Sequence, residues 1–392
     1  MMYKLFKKSL LIIASFSIIC VMVFCKNIEK PKPKTIAKKP VINDTLRINN
    51  KLNDIALFIA GLNVSDSSKL SKLTNNPEWK KYQTNIDTNW AKLEKRRMSK
   101  IKEWSIKEMA DINKSSKTIF YPFSGADFIH VYNFFPDAEK YILIGLEHPG
   151  TIPEFKSNVK SDYLKLYFYS ISRSIEDLLR MSFFRTSDMS YDMNNKYVTG
   201  TLPIMMLFMA RSHNEIISIK PITLNTKGEI VYLDSIKIYK GKDNYNKGIE
   251  IKFKDSETKT LKTVIYLCAD ISDKGLKLNN TFNQFLSNLD FNVTTYIKSA
   301  SYLMHFGDFN TTMNVILTHT KYLLQDDSGV PMRFLKSDYW DIKYYGKYEK
   351  PIDSFKKFYQ PELKTAFDNA NQISFKVGYG YISHQILARR KS

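Results

Sequence analysis

Cysteine is nearly missing from this chain. Of three cysteines, Cys20 and Cys25 lie in the first apolar run and only Cys268 follows. A single remaining cysteine excludes an internal disulfide framework and any cysteine-based metal site. Cys268 ends the apolar run 264–268 and reads as an inert core residue. Histidine is also scarce, with six residues: His130, His148, His213, His305, His319 and His384. None stands in H-E-x-x-H or another ligand spacing. The chain lacks G-x-G-x-x-G, which argues against a dinucleotide fingerprint, and lacks the G-x-S-x-G elbow of serine hydrolases. There is no internal repeat.

What is present is positive charge, aromatic residues and an export-like start. The formal net charge is +20, with 24 Tyr and 25 Phe. Residues 1–25 read as an export signal, with Lys4, Lys7 and Lys8 before the apolar run 10–25. That run is 16 residues, short of the ~20 a spanning helix needs. It ends at Cys25, so the leading expectation is a bacterial lipoprotein acylated there, with the membrane reached through a lipid anchor. Phe24 stands where such signals favour a small residue, and Cys20 is the second candidate. An uncleaved anchor and plain secretion are the alternatives; Lys26, Lys30, Lys32, Lys34, Lys38 and Lys39 just after the run disfavour the former. Residues 26–50 read as a Lys/Pro-rich linker. An exported cationic chain is expected to meet anionic lipid or glycan in the cell envelope, facing periplasm or cell surface, and no nucleic acid.

Residues 51–392 read as a single α/β domain: a mixed sheet flanked by helices, an N-terminal helical section over 51–115, and antiparallel edge strands. In the helical section, Trp79, Tyr82, Ile86, Trp90, Leu93, Arg97, Ile101, Trp104 and Met109 step at threes and fours. They predict one long amphipathic helix over 77–113, or two broken near Asp87, with an inward aromatic stripe. Residues 118–150 read as strand, turn, helix, strand. The first strand is 118–121, stopped at Pro122. A helix is expected from Ser124, with Ser124 as N-cap and Asp127 completing a capping box. Phe128, Val131, Tyr132 and Phe135 form its buried face, and 141–146 is a strand covered on both faces. Later strands are expected at 216–224, 230–239 and 248–253 as an antiparallel meander, then 261–268, 293–297, 322–324, 341–345 and 373–381. Helices are expected at 162–184, 203–211, 281–289, 299–306, 311–319 and 352–370, the last broken at Pro361.

The segments AGL at 60–62, PEW at 77–79, YPFSGADF at 121–128, GLE at 145–147 and QDDSGVP at 325–331 resemble an uncharacterised family of exported bacterial (lipo)proteins. The resemblance spans most of the mature chain. It implies an exported address and one domain, and carries over no catalytic residue.

The residues that bear chemistry gather at strand ends. A β-α-β unit puts Ser124, Gly125, Asp127 and Glu147 at the edge beyond the strands' carboxyl ends, where open α/β sheets bind ligands. Glu147 follows Gly125 by 22 residues, the place of a ribose-holding acid in dinucleotide folds, although only one of the three glycines is present. His130 lies one helical step from Asp127, so an Asp–His pair is a candidate for general-base work. Asp270 ends another strand, and Asp326, Asp327 and Ser328 end a third. If these carboxylates converge they hold a hard divalent cation, the only cofactor the sequence suggests, or do acid–base chemistry. The competing reading is that they are turn and cap residues. The leading functional expectation is a binding or accessory envelope lipoprotein engaging an anionic envelope component. The alternative is an extracytoplasmic hydrolase using a carboxylate-lined crevice, with Asp127, His130, Glu147, Asp326 and Asp327 as catalytic candidates and Ser124, Gly125, Asp270 and Ser328 as ligand-binding candidates.

Overall fold

A computed structural model describes residues 47–184, 197–235, 245–379 and 383–391, which belong to one compact unit. The expected export signal, Cys20, Cys25 and most of the expected linker lie outside the described residues. No described helix is long and apolar enough to cross a membrane.

The protein is α/β, with eleven α-helices described around a ten-stranded mixed sheet. In chain order the elements are α1 (Asn50–Ile59), α2 (Pro77–Leu93), α3 (Ser99–Glu108), α4 (Ala110–Ser115), β1 (Thr118–Tyr121), α5 (Phe128–Phe134), β2 (Lys140–Gly145), α6 (Ser161–Met181) and α7 (Leu202–Arg211). Strands β3 (Glu215–Leu224), β4 (Ile230–Tyr232), β5 (Gly248–Lys254) and β6 (Leu261–Cys268) follow. Then come α8 (Asp273–Leu278), α9 (Asn280–Ser287), β7 (Val293–Ile297), α10 (Asn310–His319), β8 (Thr320–Gln325), β9 (Trp340–Gly346), α11 (Pro361–Ala366) and β10 (His384–Arg390).

The strand order is β4-β3-β5-β6-β2-β1-β7-β8-β10-β9. The five central strands, β6, β2, β1, β7 and β8, are parallel. Numbered among themselves they run 3-2-1-4-5, the doubly wound order, and the direction of winding reverses between β1 and β7. Antiparallel strands finish both sides: β5, β3 and β4 on one, β10 and β9 on the other.

Side-chain alternation explains the two covered faces. Ile119 and Tyr121 of β1, with Tyr141 and Leu143 of β2, pack into a core shared with helices α1 to α7. Phe120, Ile142 and Ile144 point the other way, against α8, α9 and α10. A small third cluster, Tyr348, Leu363, Phe367 and Ile386, seats α11.

Several expectations need correction. The long helix does not break near Asp87. It continues through a π-turn at Glu94–Met98 and stops at Met109. The extra residue lets Arg97 turn inward, where it donates to the carbonyls of Leu178 and Arg180 at the C-terminus of α6, while Lys95 and Arg96 stay exposed. The antiparallel edge is not a meander, because β3 lies between β4 and β5, and β4 ends at Tyr232. Residues 299–306 hold only a short 3-10 turn, Leu303–His305. Residues 373–379 are not a strand. Phe375 and Val377 are buried in the core, but the N–H groups of Val377 and Gly378 bond the hydroxyls of Ser383 and Ser182 instead of a ladder. The last strand is β10, which pairs between β8 and β9.

Candidate functional site

Beyond the carboxyl ends of β1, β2, β6 and β7 lies a crevice of about 470 Å³. It sits at the reversal of winding, where the two connections leave the sheet on opposite faces and a cleft opens. Ser124, Gly125, Asp127, Glu147 and Asp270 all line it, so the sequence placed five of its candidates on one edge. Phe123, Phe183, Phe309, Phe355 and Tyr379 wall it. Phe123 meets Phe309 edge-on at 5.9 Å, and Tyr379 meets Phe183 at 4.7 Å and Phe355 at 5.1 Å.

Ser124 does not cap a helix. Its N–H and that of Gly125 both donate to the Ile144 carbonyl, at 2.9 and 3.3 Å, folding the β1–α5 loop onto the end of β2. The Ser124 hydroxyl donates to the same oxygen at 3.1 Å. Gly145 makes this approach feasible: a Cβ there would stand 3.0 Å from the Gly125 Cα and 2.6 Å from the Tyr266 hydroxyl. Asp127 is the actual N-cap, accepting from the His130 N–H at 3.4 Å. With both loop N–H groups spent, and α5 only seven residues long, the loop offers no nest for a phosphate.

The Asp127–His130 pair exists, with Oδ1 and Nδ1 2.7 Å apart, but it is buried with both side chains almost wholly excluded from solvent. Its third member escaped the sequence reading. Lys298, the residue after β7, places Nζ 2.6 Å from Asp127 Oδ2 and also donates to the Ser182 carbonyl at the C-terminus of α6. Tyr121 donates to the same carboxylate at 3.1 Å. Burial opposes the charge on Asp127, but His130 and Lys298 outweigh it and hold the carboxyl well below its usual range. Burial pushes His130 down to about 4, against the pull of Asp127 and helped by Lys298. Burial also lowers Lys298. The arrangement is an ionised Asp127 paired with Lys298 beside a neutral imidazole, and the imidazole's shorter contact to Asp127, 2.7 Å against 3.3 Å to Lys298, assigns its proton to Nδ1. His130 does not line the crevice, so the imidazole is out of reach of a ligand there, whereas Asp127 and Lys298 lie at its floor; the network ties β1, α5, β7 and α6 together.

Glu147 is different. Its side chain is half-buried, lines the crevice and pairs with no cation among the described residues. Burial raises its carboxyl, moderated by the N–H groups of Glu147 and Leu146. Its backbone is fixed by the Tyr266 hydroxyl, which donates to the Glu147 carbonyl at 2.7 Å. Asp270 uses one oxygen to cap the turn after β6, accepting from the Ser272 N–H at 3.0 Å.

Asp326, Asp327 and Ser328 do not line the crevice. They hold the loop that does. Ser299, Ser301 and Tyr302 have φ of 52°, 53° and 55°, a left-handed run without glycine that costs about 1–2 kcal/mol per residue. Asp326 Oδ2 accepts from the Ser299 N–H and the Ser328 hydroxyl accepts from the Ala300 N–H, both at 2.8 Å. Asp327 accepts from the Tyr302 hydroxyl at 2.5 Å and faces His384 Nε2 at 3.0 Å, a second buried Asp–His pair that sequence spacing hid. Burial first, then the neighbouring Asp327, raises the Asp326 carboxyl. The carboxylates thus fall into separate groups, and among the described residues no three His, Cys, Asp or Glu side chains are placed to hold a metal ion. Cys268 is buried, its thiol pushed up to about 12 by burial, and inert.

These features define a doubly wound α/β protein with a buried ion network at the floor of an acidic, aromatic-walled crevice. Compared with known proteins, the chain matches no family model, no curated protein and no solved structure.

Proposed function

We propose that this is a binding protein for a small organic molecule, held in the crevice at the carboxyl edge of the sheet. The observation that carries the reading is Glu147: a half-buried carboxylate without a cation partner among the described residues, beside aromatic walls at the winding reversal. Such a carboxylate selects hydrogen-bond donors, as an ammonium group or paired hydroxyls, and the aromatic walls select a flat apolar body. A nucleoside meets both requirements, and Glu147 stands where an acid takes ribose hydroxyls in doubly wound folds. Glu147 and Asp270 repel a phosphate, and the N–H groups of Ser124 and Gly125 in the β1–α5 loop are taken by the Ile144 carbonyl, so the unphosphorylated form is preferred. Titration of wild-type and Glu147→Gln protein with nucleosides and their 5′-phosphates tests this. Wild-type protein is expected to bind a nucleoside and discriminate against its phosphate. The variant is expected to bind it roughly 10- to 100-fold more weakly, the range for a hydrogen bond to a charged group. Equal affinity of the two proteins, or preference for the phosphate, contradicts the reading.

The raised carboxyl of Glu147 supports a second reading, a hydrolase with Glu147 as general acid–base. Turnover of a bound ligand, lost in Glu147→Gln while binding persists, distinguishes it.

The address is part of the proposal: an exported envelope protein tethered by acylated Cys25, supported by the Cys-terminated apolar run, the lysines after it and the resemblance to exported bacterial proteins. Cys25→Ser is expected to abolish fatty-acid labelling and release the protein from the membrane fraction; unchanged labelling contradicts it.

A further inference from the structure

A second concavity, of about 900 Å³, runs between α2 and α6, away from the crevice residues. The two helices are bonded along its floor, where Tyr82 stacks on Phe168 with ring centres 4.3 Å apart. Ile86 and Ile175 continue that floor. On its rim two large apolar side chains of α6 stand in solvent, Leu166 at 42 % exposure and Tyr169 at 64 %. Around them the charge is positive. Lys81, Lys92, Arg96 and Lys165 line the groove, and Lys92, Lys95, Arg96 and Lys100 form a shelf at its end. Of the two acids in the groove, Glu78 and Glu176, the second is taken by Arg173 at 2.6 Å. No acid pairs with Lys92, Lys95 or Arg96 among the described residues.

The π-turn builds the shelf. By sending Arg97 inward to the end of α6, it leaves Lys95 and Arg96 on the outer surface, in line with Lys92 one turn earlier. Unpaired cations at one end of the groove and exposed Leu and Tyr further along the same face have one environment that satisfies both. In the headgroup layer of an anionic bilayer, phosphates neutralise the cations while Leu and Tyr enter the interface. A soluble sugar or phosphate polyanion offers nothing to cover Leu166 and Tyr169.

We propose that the face formed by α2 and α6 docks on an anionic phospholipid surface, with Lys92, Lys95 and Arg96 on the headgroups and Leu166 and Tyr169 in the interface. The chemistry of the crevice does not enter this proposal. Full-length protein and a Lys92→Ala/Lys95→Ala/Arg96→Ala variant are compared on vesicles of phosphatidylcholine alone and of phosphatidylcholine with phosphatidylglycerol. The N-terminal residues are identical in the two proteins, so any contribution they make to binding cancels in the ratio. The expected loss on anionic vesicles is about fivefold per cation removed, about a hundredfold for three, with no change on neutral vesicles. A Leu166→Ser/Tyr169→Ser variant is expected to weaken binding to anionic vesicles too, with all variants melting at the wild-type temperature because these side chains are exposed. Equal binding of the triple variant and wild type to anionic vesicles overturns the proposal. So does a loss confined to a soluble polyanion such as heparin, which makes the face a polyanion site instead.

Discussion

Lys298→Met is expected to destabilise the protein by about 3–5 kcal/mol, the cost of leaving one member of a buried ion pair alone. Lys298 Nζ is the direct cationic partner of the Asp127 carboxylate, at 2.6 Å, and both side chains are only 2 % exposed. Methionine has the volume but not the charge. It strands an ionised carboxyl in the core and the Ser182 carbonyl at the end of α6. Four elements meet at this point, so the loss is global, and the melting temperature should fall by about 5 °C. The variant Asp127→Asn/Lys298→Met should recover a large part of that loss, since asparagine still caps α5 and no bare charge remains. Thermal melts of the three proteins decide the matter. A single variant that melts with wild type, or a double variant that is worse than the single, contradicts the ion network described here.

Acid should weaken the protein through His130. The unfolded imidazole takes up a proton near its ordinary 6.5, whereas the folded one, buried beside Lys298, refuses it until about 4. Its contribution is therefore complete above pH 6.5, is lost as pH falls from 6.5 to about 4, and is constant below that. A depression of this size amounts to about 3 kcal/mol. Asp127, also depressed, adds a loss at lower pH, while Asp326 and Glu147, raised by burial, work in the opposite sense. The effect of His130 is isolated by comparing wild type with His130→Gln. The stability difference between them, from denaturant unfolding, should shift by about 3 kcal/mol in favour of the variant between pH 7 and pH 4. A difference independent of pH would show that His130 is accessible and titrates normally.

Much of the frame is legible in the residues because the central strands are covered on both faces. Strands β1, β6 and β7 are short segments rich in β-branched and aromatic residues, and all three are found at the expected residues. The edge is harder. Residues 384–390 carry Arg389 and Arg390 and do not read as a strand, whereas 373–381 carry Ile373, Phe375 and Val377 and do. The structure reverses the two assignments, since buried apolar side chains do not require a ladder. The site shows the same division. Strand ends locate Glu147, Asp270 and the Ser124–Asp127 turn, because the carboxyl edge follows from topology alone. Lys298 was missed because a lone lysine after a strand looks like a solvated surface residue; only the sheet order brings it to Asp127. The roles of Asp326, Asp327 and Ser328 depend on three left-handed residues elsewhere in the chain, for which serine and tyrosine give no signal.

The central claim is that the crevice beside Glu147 is where this protein takes a ligand. It is tested most directly by soaking crystals with a panel of nucleosides and aromatic amines and locating what binds. The account predicts a molecule lying against the aromatic wall of Phe355 and Tyr379, with its hydroxyl or ammonium group on the Glu147 carboxylate. Ligand found reproducibly elsewhere, with the crevice left to solvent, would contradict it.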